Sequence, residues 1–229
     1  EKCQAFQKGL YLANGYFASV LPTFDNVMIN VRPVVGAFFK SHNKDGSPMN
    51  VADLIADYFG ETDLNKVSKD SILRQKNFFK GIRIHRTYLG HKSKPKAIFD
   101  ISRDETPNSY KFDLDGQITS VAQYFNSKYN IKLKYPNHPL VHLGGSNFIP
   151  MESCIILPGQ EFKGEIDDVR GVLSYSTHRP HVIAGLVQQD GLKKLTSALN
   201  NDDQQRIGNK LVIIPSRVLS APVLEYKNT

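Results

Sequence analysis

Between residues 80 and 160 every segment able to form a strand is short, and Gly or Pro punctuates most of them. GIRIHRTYLG places Ile82 and Ile84 on one face and Arg83 and His85 on the other, the period-two pattern of a half-buried strand. HKSKPK, His91 to Lys96, reads as a basic turn and AIFDI as the strand returning from it. SYKFDLDGQ alternates Tyr110, Phe112 and Leu114 before the pair Asp115 and Gly116, which suits a two-residue hairpin turn. VHLGG, FIPM and CIILPGQ follow. Many short strands with one inserted hairpin and one helix predict a mainly β fold with α elements (α+β). They describe a small open barrel rather than a layered α/β fold.

The inserted helix lies in SVAQYFNSKYNIKLKYP, Ser120 to Pro136. Ser120 with Gln123 three residues later fits a capping box, so a helix is expected to open at Ser120 and run to about Tyr129. Tyr124 and Lys128, four apart, share a face of it, and Tyr129 at its fraying end can swing toward the same place. Two phenolic donors and an ammonium could then converge on one anion. No Asp or Glu stands between Gly116 and Met151 to oppose this.

The charge is local as well as large. Lys and Arg exceed Asp and Glu by 29 − 22 = 7, and the sequence pI is about 9.3. From Ser71 to Phe99 there are eight basic residues (Arg74, Lys76, Lys80, Arg83, Arg86, Lys92, Lys94, Lys96) and no acid. Nucleic acid or another anionic surface is the expected partner. No apolar run reaches the roughly 18 residues of a membrane span, which predicts a soluble protein with no membrane partner. The two cysteines, Cys3 and Cys154, supply neither a disulfide framework nor a metal set, and six of the seven histidines, at 85, 91, 138, 142, 178 and 181, lack metal-binding or catalytic spacing. No cofactor is implied.

Elsewhere, MINVRPVVGAFFK, Met28 to Lys40, fits a strand running into either a helix or a second strand. Asn50 is a plausible N-cap for a helix carrying Val51, Leu54, Ile55, Tyr58 and Phe59 and ending near Gly60. A polar loop is expected before Ile72 and Leu73. Residues 181 to 200 read as a helix and LVIIPSRVL as a strand leading out, while Ser41 to Pro48 is the internal segment most open to disorder. With 229 residues the chain can hold one sizeable domain with appendages, and it reads as a piece of a longer parent.

AQYFNSKYNIKLKYP, then FIPMESC at Phe148 to Cys154, then PGQ at Pro158 to Gln160, resembles the PAZ domain of eukaryotic Argonaute proteins. GYFASVLPTFDNVMINVRPVVGAFFK upstream resembles the first Argonaute linker, and SRVLSAPVLEYKN, Ser216 to Asn228, the end of the second. The resemblance implies residues 1–69 as first linker region, 70–168 as PAZ domain and 169–229 as second linker region. It implies that Tyr124 and Tyr129, with Lys128 between them, hold the 3′-terminal phosphodiester of a guide RNA. It implies that Tyr110, at the position of a family phenylalanine, stacks on the last base, with Phe112 as competitor; packing under the arm with Leu114 is the alternative role for Phe112. Tyr88 stands where many Argonautes carry a histidine and can donate one hydrogen bond, but it cannot be protonated. Ile149 matches a position beside the terminal ribose, and equally fits an ordinary strand residue. Lys94 and Lys96, with Pro95 and Ala97, replace an arginine-richer turn and, with Lys92, bring point charges to the RNA backbone without a bidentate fork.

The expected partners are a small single-stranded guide RNA or a duplex 3′ overhang, together with the middle and PIWI domains of the parent chain. Cleavage chemistry in slicing Argonautes belongs to the PIWI domain, so no catalytic centre is expected here. Competing readings are the PAZ domain of a Dicer-like ribonuclease, which the linker words oppose, a protein-binding module of the same barrel type, and a hydrolase built on His and Asp.

Overall fold

The computed structural model describes residues 3–24, 27–92, 94–114, 116–197, 207–208, 211–213 and 217–219. The chain divides into two compact units, residues 1–15 with 34–177 and residues 16–33 with 178–229.

The first unit opens on β1 (Cys3–Ala5), in a sheet of order β1-β2-β3 with the long strands β2 (Leu10–Pro22) and β3 (Val27–Phe39). The boundary between the units falls inside both long strands. Of the two readings of Met28 to Lys40, neither holds: it is one strand to Phe39. Pro33, which has no N–H to give, is tolerated because β3 is an edge strand. Ser41 to Pro48 is an ordered turn, with Asn43 N donating to Ser47 O at 2.8 Å and Gly46 in the left-handed region that glycine adopts without strain.

Helix α1 (Val51–Tyr58) forms as its sequence predicts. Asn50 Oδ1 accepts from Asp53 N at 2.9 Å, Val51, Leu54 and Ile55 are fully buried, and Gly60 takes a positive φ just beyond the end. The expected polar loop instead holds α2 (Lys69–Arg74) and α3 (Lys76–Phe79). Ser68 caps α2 by accepting from Ser71 N, and Ile72 and Phe79 are buried, so two anchors secure an otherwise polar stretch.

Then come β4 (Arg83–Arg86), β5 (Lys96–Ala97), β6 (Asp100–Ile101), β7 (Lys111–Leu114), β8 (Gln117–Ser120), α4 (Val121–Tyr129), β9 (Leu140–His142), β10 (Phe148–Pro150), β11 (Cys154–Ile156) and α5 (Val169–Ser176). Two antiparallel sheets, β11-β4-β5 and β10-β9-β6, share two corners. At one, Ile98 N bonds to Ile82 O and Phe99 N to His142 O, both at 2.9 Å, as the chain passes from β5 to β6. At the other, Met151–Ser153 carries β10 into β11. The result is a small open barrel; among the described residues no ladder closes it. Ile82, Ile84, Ile98, Ile101, Leu140 and Ile156 are buried to within 2% exposure, each contributing roughly 1.5–3 kcal/mol of transfer free energy.

The β7-β8 hairpin runs in register Leu114 with Gln117, so its loop is two residues long, as read from the sequence. Gly116 has φ 84° and its N–H donates to Asp113 Oδ1 at 2.7 Å; Asp115 lies outside the described residues. Helix α4 leaves β8 directly.

In the second unit the helix expected over 181–200 is built as α6 (Pro180–Leu186), a π-helical turn over Val187–Gly191, and α7 (Leu192–Ser197). Residues 198–200 lie outside the described residues. Tyr16 Oη donates to Asp190 Oδ2 at 2.8 Å, and a Cβ on Gly191 would meet the Tyr16 ring at 2.9 Å, so glycine is what fits the turn. The described parts of LVIIPSRVL, residues 211–213 and 217–219, form no strand. Among the described residues no helix is long and apolar enough to cross a membrane.

Candidate nucleic-acid interface

The capping box is present in both directions: Gln123 N donates to Ser120 Oγ at 3.2 Å and Ser120 N to Gln123 Oε1 at 3.1 Å. Val121 and Phe125 bury one face of α4, and Asn130 ends the helix in the left-handed conformation. Two backbone bonds, Val121 N to Tyr110 O at 3.2 Å and Ala122 N to Pro107 O at 2.9 Å, seat its first turn against the segment leading into the hairpin. Tyr124 and Tyr129, together with parts of Val121 and Phe125, line a cleft.

That cleft holds about 480 Å³ and is lined by Arg86, Tyr88, Leu89, Tyr110, Phe112, Tyr124, Tyr129, Phe148 and Ile149, with Ser146 and Asn147 at its polar side. Five of the six residues expected at a 3′ end line it; the sixth, Lys128, is exposed and donates to Tyr124 Oη at 2.8 Å. Tyr88 packs on Phe125 and Tyr129 at 4.9 Å each, Tyr124 on Tyr129 at 5.7 Å, and Phe112 on Tyr124 at 5.3 Å. Phe112 thus faces the cleft beside Tyr110. Leu114, which the alternative reading would bury with it, is 40% exposed.

The hydroxyls are ordered by their bonds. Lys128 holds the Tyr124 phenol below its usual pKa, helped by a hydrogen bond shared with Tyr129, while burial and that same bond hold Tyr129 above its own. A phenol has one O–H and two acceptor positions, and an ammonium only donates. The bond between the two phenols uses one of their two protons and Lys128 uses none, so the pair keeps one O–H for a ligand. Burial pushes Tyr88 up to about 12, with Arg86 beside it pulling the other way, so Tyr88 keeps its proton throughout the physiological range.

Two other hollows are larger, and both contain acids. One of about 880 Å³ beside α1 carries Asp45, Asp53, Asp57 and Glu61, and one of about 560 Å³ beside α2 sets Asp70 among Arg74, Lys76 and Arg103. The aromatic cleft contains no acid.

The PAZ domain profile matches residues 53–170 of this sequence. The chain belongs to the PAZ domain family. It is similar at 28% identity to protein argonaute 12 of Oryza sativa subsp. japonica, over 94% of this chain and 20% of that protein. Protein argonaute 14 of the same plant is also 28% identical, over 96% and 22%. Among solved structures, Kluyveromyces polysporus Argonaute with a guide RNA superposes with a TM-score of 0.65 at 25% identity, over 88% of this chain and 24% of that one. The chain spans about a fifth of the length of the curated relatives it matches.

Two of the words that carry the PAZ resemblance serve the scaffold. Glu152 of MESC accepts from Lys134 N at 2.8 Å and Tyr135 N at 3.1 Å, pinning the chain where it leaves α4. Gln160 of PGQ bonds both backbone groups of Arg83, at 2.6 Å and 2.9 Å, and so imitates a strand partner for β4. Of the basic residues over 71–99, Lys76 and Lys80 are engaged by Asp100 at 3.0 and 3.5 Å, while Lys94 and Lys96 are exposed. The side chain of Lys92 lies outside the described residues. Arg86 was legible only as one of eight basic residues; strand β4 brings it into the cleft.

Among the described residues no group of three or more His, Cys, Asp or Glu converges as a metal site would require. Cys154 is buried, and burial pushes its thiol up to about 12, so it is an inert core residue.

Proposed function

We propose that this PAZ domain anchors the 3′ end of a small guide RNA, or the 3′ overhang of a duplex, for an Argonaute parent acting in RNA silencing in the cytoplasm. Residues 1–69 and 169–229 serve as first and second linker regions around it, and the middle and PIWI domains of the parent are its partners in the chain. The domain binds and does not cut.

The observation that carries this reading is the pair of hydroxyls of Tyr124 and Tyr129 in an acid-free aromatic cleft, with Lys128 2.8 Å from Tyr124 Oη and Arg86 in the lining. The terminal phosphodiester accepts from this pair, and Lys128, Arg86 and Tyr88 share its charge. A charged acceptor makes such hydrogen bonds shorter and roughly twice as strong as neutral ones. The Tyr110 or Phe112 ring stacks on the last base without reading its identity, and Ile149, 5% exposed, offers an apolar wall to the last ribose. A cleft filled in this way leaves no room for the strand to continue, so only a free end enters. Lys92, Lys94 and Lys96 meet the preceding phosphates.

The reading is tested by titrating the protein with a short single-stranded RNA and with the same sequence closed into a circle. The linear strand should bind more tightly by tenfold or more; equal affinities would reduce the cleft to general attraction.

A further inference from the structure

The rings of the cleft continue past its wall. Phe148 of β10 meets Tyr110 at 4.8 Å and carries His142 of β9 nearly parallel to it, 4.6 Å away at 11°. His142 in turn meets Phe99 edge-on at 5.2 Å. Neither His142 nor Phe99 lines the cleft, yet both are firmly held. His142 Nε2 bonds to Gly145 O at 2.8 Å, and Phe99 N bonds to His142 O at 2.9 Å beside fully buried Ile98. Phe99 is nevertheless 65% exposed. A large aromatic ring held between β5 and β6 and open to water contributes little to the core and leaves its face free to stack on a base.

The surroundings specify the contact. Both segments that build this ledge are free of acids, from Ser71 to Phe99 and between Gly116 and Met151. The adjacent Asp100 is taken up by Lys76, Lys80 and the Ile101 N–H. Lys94 and Lys96 just before Phe99 are exposed, and neither ammonium has a hydrogen bond or ion pair among the described residues. An exposed ring flanked by uncommitted ammonium groups is how single-stranded nucleic acid is held without regard to sequence.

We propose that Phe99, backed by His142, is a second stacking station, which takes a base several nucleotides before the 3′ end while Lys94 and Lys96 hold the phosphates beside it. This rests on the reading of the cleft as the anchor of the end itself. The ligand is the single-stranded part of the same RNA, reached along the continuous row Tyr110, Phe148, His142 and Phe99.

The test compares RNA duplexes with 3′ overhangs of two and six nucleotides. Phe99→Ala should weaken binding of the longer overhang roughly 5- to 150-fold, the range for one base-aromatic stack, and leave the shorter unchanged. Phe99→Trp should retain the long-overhang affinity. 2-Aminopurine placed in turn at each inner position of the long overhang should be quenched on binding at one of them, and that quenching should vanish in Phe99→Ala. Equal losses on both overhangs, or no loss and no quenching, would overturn the station. Wild-type protein that binds neither overhang better than a blunt duplex would refute the anchoring function instead, a separate failure.

Discussion

Removing the Tyr124 hydroxyl is the sharpest perturbation this cleft offers. Lys128 only donates to it, and its bond with Tyr129 uses one of the two phenolic protons, so the pair keeps one O–H for the terminal phosphate. A hydrogen bond to a charged partner is worth about 1.5–3 kcal/mol, or roughly 12- to 140-fold in affinity. Lys128 is exposed and loses almost nothing, because water replaces its partner. Tyr129, however, is released from its bond with Tyr124 and can turn its own proton to the phosphate. Either single variant should therefore lose no more than about 12-fold, and the double variant, which removes both protons, should lose more than the two singles combined. The pH profile carries the same signature. Tyr124 titrates below the usual phenol value of 10.0 while Tyr88 titrates at about 12, so affinity should decline as pH rises toward 10, when the Tyr124 proton leaves and a phenolate faces the phosphate. Tyr124→Phe should abolish that decline. Fluorescence anisotropy with a two-nucleotide overhang, checked against unchanged melting temperatures, measures both. A double variant with wild-type affinity would refute the contact between this pair and the phosphate.

Tyr110→Ala should weaken overhang binding by roughly 1–3 kcal/mol whatever the terminal base, whereas Tyr110→Phe should be nearly silent; if Phe112→Ala has the larger effect in a folded protein, Phe112 is the stacking ring. Neutralising Lys92, Lys94 and Lys96 should flatten the plot of log affinity against log salt by about 0.7 per lost contact, and an unchanged slope would remove them from the RNA. Ser120→Ala deletes half of the capping box and should cost about 1 kcal/mol, a drop in melting temperature of roughly 2–4 °C, with affinity unchanged at temperatures where the protein stays folded.

Helix α4 was legible to the residue because its limits are set locally, by Ser120 and Gln123 at one end and Asn130 at the other. The hairpin was legible for the same reason, from strict alternation around a turn dipeptide. The convergence of Tyr124, Lys128 and Tyr129 was legible from helical spacing, whereas Tyr88, Tyr110 and Ile149 were legible only through resemblance, since they come from separate segments that no periodicity joins. Phe112 was placed partly under the arm because alternation shows which residues share a face and not what that face meets. Helices α2 and α3 were missed because two buried anchors, Ile72 and Phe79, hold a polar stretch that propensity alone reads as loop. The long strand β3 was misread at Pro33, whose penalty depends on whether the strand lies at an edge, and that is decided by tertiary pairing.

The central claim is that this domain recognises an unpaired 3′ end. Binding of one RNA duplex with a two-nucleotide 3′ overhang, with a two-nucleotide 5′ overhang and with blunt ends, across a salt series, tests it most directly. All three should lose affinity together as salt rises, while the 3′ overhang keeps a preference of tenfold or more at every concentration. A preference that disappears with salt, or a 5′ overhang bound equally well, would contradict the claim.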